Sequence, residues 1–131
     1  MALLAIEQGV QAFLLPYALN NATPANLKMI LYVNNHTPAA TDTLANYTEC
    51  TDASYSAQTL TGASWTFSDV SNVTQAAYPA VSWTFAASQT IYGYAVVDTG
   101  KTKVIWAELF CASLNFGAGQ TLSLTLQITL Q

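Results

Sequence analysis

The clearest pattern in the chain lies near its C-terminal end. In "TLSLTLQITL" (121–130) every second residue is aliphatic: Leu122, Leu124, Leu126, Ile128 and Leu130 alternate with Thr121, Ser123, Thr125, Gln127 and Thr129. Strand side chains point to opposite faces in turn, so this period of two predicts one unbroken strand with an apolar and a polar face. "TIYGYAVVD" (90–98) and "KVIWAELF" (103–110) are β-branched and aromatic runs flanking "TGKT" (99–102). A short Gly-bearing turn between two such runs predicts a hairpin. "LKMILYV" (27–33) predicts a further strand, followed by a polar loop in "NNHTPAATDT" (34–43). "ANYTEC" (45–50) predicts a short edge strand, "TDASYSAQTLTG" (51–62) is Ser/Thr-rich and only weakly periodic, and "NFGAG" (115–119) predicts a turn.

The tetrapeptide Ser-Trp-Thr-Phe occurs twice, at 64–67 and 82–85. In an extended chain Trp65 and Phe67 share one face, as do Trp83 and Phe85. Solenoids and propellers need at least three copies of a repeat, so the twins read as two strands that solve the same packing problem. Aromatic side chains on a strand face are ordinarily core; a carbohydrate platform of exposed Trp65, Trp83 or Trp106 is the competing reading.

Helical spacing is confined to the start. Ile6, Val10, Phe13, Leu14 and Tyr17 recur at intervals of three and four, and Pro16 with Asn20 and Asn21 ends the run. This predicts a short amphipathic helix, or an arm that becomes helical against a partner, with "NATPAN" (21–26) as linker. The chain therefore divides into an N-terminal helix or arm, 1–24, and a β domain, 25–131. Seven or eight short strands at regular spacing predict a mainly β protein: an antiparallel β-sandwich of jelly-roll or immunoglobulin-like type with a short N-terminal helix or arm.

Composition sharpens this picture. Only 8 % of the 131 residues are charged, where roughly 25 % is usual. A surface made of Ser, Thr, Asn, Gln and apolar atoms suits a protein partly hidden in an assembly better than a free monomer. The net charge is −4, with Lys28, Lys101 and Lys103 as the cationic side chains. Nucleic-acid binding needs clustered Lys and Arg, so direct nucleic-acid contact is not expected. The apolar start carries Glu7, Gln8, Gln11 and Pro16 and has no basic leader, which predicts neither a membrane span nor a signal peptide but a mature protein made in a cytoplasm.

Candidate chemistry is sparse. The acids are Glu7, Asp42, Glu49, Asp52, Asp69, Asp98 and Glu108. Glycosidase chemistry needs two converging carboxylates, and neither Glu49 with Asp52 nor Glu108 has a spacing that demands it. His36 sits in a Pro-flanked polar loop and reads as a turn residue rather than a base. One His and two distant Cys do not make a zinc site. Calcium held by Asp42, Glu49 and Asp52 is the one metal arrangement to consider, without EF-hand spacing to support it. Cys50 and Cys111 read as small buried thiols, with a single disulfide between them as the alternative. The four Asn-x-Ser/Thr triplets, at Asn21, Asn35, Asn46 and Asn72, are expected by accident in so polar a chain. The expectation is no catalytic residue, no metal, no cofactor and no enzyme.

One segment resembles a known family. Leu31-Tyr32, Asn34-Asn35, Thr37-Pro38, Asp42-Thr43 and Tyr47-Thr48-Glu49 fall in the order of a signature of small virion structural proteins of tailed bacteriophages. "LTGASWTF" (60–67), "YPAVSWTF" (78–85), "IYGYAVVD" (91–98), "IWAELF" (105–110) and the Gly-rich turn before a Thr/Leu strand are also similar, so the likeness covers most of the chain. Within it the first Ser-Trp-Thr-Phe belongs to the family pattern and the second does not. The chain departs from the family in its nearly uncharged N-terminal helix and in Leu109, where relatives carry arginine after the Ala-Glu pair.

The resemblance implies a capsid decoration or cement protein that sits on capsomer junctions, binds the major capsid protein and copies of itself as a homotrimer, and resides in the virion after assembly in the host bacterial cytoplasm. Within that frame the apolar stripe Leu3, Leu4, Ile6, Val10, Phe13, Leu14 and Tyr17 is the expected partner interface. A tail- or fibre-associated module that binds host-surface carbohydrate is the alternative expectation.

Overall fold

The computed structural model describes residues 4–5, 26–70 and 73–130. These residues form β1 (Leu4–Ala5), β2 (Leu27–Tyr32), β3 (Gln58–Leu60), β4 (Thr66–Val70), β5 (Val73–Ala77), β6 (Val81–Thr84), β7 (Gln89–Asp98), β8 (Val104–Phe116), β9 (Thr121–Leu124) and β10 (Gln127–Leu130). Among the described residues the helical elements are two 3-10 turns, Leu44–Asn46 and Gly62–Ser64. Every ladder is antiparallel. The protein is a mainly β antiparallel sandwich, as its alternating runs predict.

One layer is a five-stranded sheet in the order β1-β8-β7-β2-β3. The other is built from β10-β5-β4 and β6-β9. These two small sheets are successive halves of one bent ladder, because β5 leads through 78–80 into β6 while β9 leads through 125–126 into β10. The bend falls at Pro79, which has no N–H to continue a ladder. Tyr78 bridges the break, its N–H donating to the Leu126 carbonyl at 3.0 Å. The single strand expected over 121–130 is therefore two strands in two sheets. The alternation itself survives the break: Leu122 and Leu126 are buried, and Thr121, Ser123, Thr125, Gln127 and Thr129 are exposed.

Between the layers lies the main core. Met29, Leu31, Ile91, Tyr94, Val96 and Trp106 of the larger sheet meet Trp83, Phe85, Leu122 and Leu126 of the smaller ones. Trp83 and Phe85 are 3 % and 1 % exposed, so the second twin packs as core. Trp65 of the first twin is half-buried, edge-on to Tyr78 at 5.1 Å and to Trp106 at 6.0 Å. Burying rings of this size is a large apolar contribution, and edge-to-face contacts add to it.

The opposite face of the larger sheet is also covered. Ile30, Tyr32, Ala95, Val97, Val104 and Ala107 form a second cluster with Tyr47 from the loop after β2. A sheet buried on both faces reads as nearly continuous apolar sequence rather than as alternation, which is why "MILY" and "YAVV" show no polar face.

Two local expectations change, and one strand is added. The segment 45–50 is a 3-10 turn followed by an isolated bridge, Tyr32 to Glu49, rather than an edge strand. β8 runs on to Phe116, so the turn begins at 117. β5, which "VTQAA" does not announce by any clear alternation, fills the interval between the twins. The N-terminal helix or arm lies outside the described residues except for β1, whose Leu4 and Ala5 pair with Ala107 and Trp106.

β7 and β8 are irregularly paired. Gly93 sits where the ladder slips, and its neighbour across β2 is Tyr32. The Tyr32 ring lies over Gly93 and its hydroxyl donates to the Glu108 carbonyl at 2.9 Å. A Cβ at position 93 would collide with that carbonyl oxygen and with the Tyr32 hydroxyl. Here glycine is required by close approach.

Candidate functional site

The segment 31–49 folds as a strand and a loop strapped over the second cluster. Asn34 clamps the loop by accepting from the Thr48 N–H at 2.7 Å and donating to the Asn46 carbonyl at 2.9 Å. Val33 N–H donates to the Thr48 carbonyl, and Cys50 N–H to the Leu31 carbonyl. The loop thus returns antiparallel to the strand that launched it.

At the centre of the strap is Asp42, 5 % exposed. Its Oδ2 accepts from the Tyr47 hydroxyl at 2.7 Å, from the His36 Nε2–H at 2.7 Å and from the Ala39 N–H at 2.9 Å. Burial works to raise the pKa of this carboxyl, but the bonds from Tyr47, Ala39 and His36 outweigh it and hold the group below the usual range. Tyr47 is edge-on to both Tyr32 and His36. Burial first, then the Asp42 carboxylate, drives the Tyr47 phenol far above its ordinary value. Tyr94 donates to Glu108 Oε2 at 2.6 Å, and burial together with Glu108 raises Tyr94 in the same way. These phenols are proton donors fixed in place.

Glu49 belongs to a second cluster. It accepts both Lys101 Nζ contacts, at 2.7 and 2.8 Å, and the Tyr55 hydroxyl at 3.0 Å, while Tyr55 in turn accepts the Leu31 N–H. Lys101 reaches Glu49 from the β7–β8 turn with a left-handed φ of 53°, a turn braced by Asp98, which accepts the Thr102 and Lys103 N–H groups. A shallow depression of about 490 Å³ opens here, with Lys28, Glu49, Tyr55 and Lys101 on its walls.

Asp52 forms the third. It accepts the Ala86 and Ala87 N–H groups at 2.9 Å each, and the Ser54 hydroxyl and N–H at 2.7 and 3.0 Å. The Ala86 N–H and the Ser54 hydroxyl lead the set that lowers its pKa. This carboxylate ties the loop after Cys50 to the β6–β7 connection.

The three acids weighed as a calcium set are therefore in three separate networks. Among the described residues no group of three or more His, Cys, Asp or Glu side chains is placed to hold a metal. Glu49 and Asp52 both border the depression, but each is engaged with its own donors, Glu49 with Lys101 and Tyr55, Asp52 with Ser54, Ala86 and Ala87. His36 is a turn residue anchored to Asp42, and its ring bonds no Ser, Thr or Cys among the described residues. Cys50 and Cys111 are not bonded to each other: Cys50 is buried and Cys111 exposed. The expectation of two buried thiols holds for Cys50 only, because β8 carries Cys111 out to an exposed stretch.

Of the expected interface residues, Leu4 is in β1; Leu3, Ile6, Val10, Phe13, Leu14 and Tyr17 lie outside the described residues. No described helix is long and apolar enough to cross a membrane. Trp83 and Trp106 are buried and present no stacking face to a sugar; Trp65 is the half-exposed one. The Trp106 Nε1–H is buried and has no acceptor among the described residues. Sequence reasoning missed the strap entirely. Its signal was present in the spacing of Asn34, His36, Asp42 and Tyr47, but nothing in the sequence says that four polar residues of a loop bond one another. Scans against protein-family models and curated proteins return no match for this sequence.

Proposed function

We propose that this chain is a structural protein of the virion of a tailed bacteriophage, a head decoration or cement protein that binds the major capsid protein and copies of itself and catalyses nothing. One observation carries the reading. Among the residues that resemble the virion-protein signature, Asn34, Asp42, Tyr47 and Thr48 tie the strap, Tyr32 bonds the Glu108 carbonyl of β8, and Glu49 pairs with Lys101. These internal ties stiffen a scaffold, which supports a structural role. The low charge and the hydroxyl-rich outer face of β6 and β9 suit a module packed against neighbours.

Binding would come from the apolar N-terminal stripe. At roughly 25 cal/mol per Å² of apolar surface, burying it against a shell contributes several kcal/mol before the entropic cost of association. The direct test mixes purified protein with empty phage heads and follows their melting temperature. Decorated heads that melt higher, with binding lost on deletion of residues 1–20 while the β domain still folds, support the reading. A protein that ignores heads and is labelled at the tail by antibody overturns it in favour of the carbohydrate-binding tail module.

A further inference from the structure

We draw no further inference here: the strongest candidate, the shallow depression bordered by Lys28, Glu49, Asp52, Tyr55 and Lys101, has its charged groups engaged in ties the fold already uses, Glu49 with Lys101 and Asp52 with Ser54, Ala86 and Ala87, and nothing in the structure shows what would occupy it.

Discussion

Replacing Gly93 by alanine tests the close approach on which the β2–β7–β8 ladder depends. The added Cβ meets the Glu108 carbonyl oxygen and the Tyr32 hydroxyl, with the Tyr32 Cζ at 2.5 Å. The ring can swing aside, but the carbonyl belongs to the ladder and moves only with it. Forcing one carbon into a packed core costs roughly 1–3 kcal/mol. Displacing Tyr32 also breaks its bond to Glu108, worth about 1 kcal/mol. The sum is a loss of roughly 2–4 kcal/mol, a large share of the ~5–15 kcal/mol typical of a domain. At about 3–4 °C per kcal/mol for a chain of this length, Tm falls by roughly 6–16 °C. Urea melts of the single and double variants separate the two contacts. Tyr32→Phe removes the hydrogen bond alone and should cost about 1 kcal/mol. Tyr32→Ala removes the ring, so Gly93→Ala in that background meets only the carbonyl, and the cycle should show a coupling of about 1 kcal/mol or more. A Gly93→Ala protein within about 0.5 kcal/mol of wild type, or strictly additive losses, would refute the account of this glycine.

Acid and thiol chemistry give two further tests. Asp42, Asp52 and Asp98 all have folded-state pKa values below the ordinary carboxylate value, so their stabilisation is fully present above the unfolded pKa of about 4 and drains away as pH falls toward the folded values. Thermal melts should therefore lose Tm progressively on acidification below about pH 4, and Asp52→Asn should flatten that slope; a variant with an unchanged acid slope contradicts the assignment. Native protein should expose one thiol to a thiol reagent, Cys111, and unfolded protein two, because burial shields Cys50 and raises its pKa; Tm should be indifferent to reductant at concentrations where the chain is unassociated, and two reactive native thiols would contradict the burial of Cys50.

Period-two alternation was enough to identify the β class, the β7–β8 hairpin and the inward row Leu122, Leu124, Leu126 and Ile128, because side-chain direction in a strand is a local property. The break at 125–126 was not legible: nothing in "TLSLTLQITL" changes there, and the cause is Pro79 on the strand across from it. The same holds for Gly93, whose need arises from Tyr32, and for the strap, in which Asp42 draws together His36, Ala39 and Tyr47. Cys50 and Cys111 look alike as letters and differ because one follows the strap tied to β2 and the other lies on the exposed stretch 111–115 of β8. What the sequence determined is which face each strand residue takes; what only the tertiary structure decided is which strands meet, since pairing is a contact between distant segments and no local pattern encodes its partner.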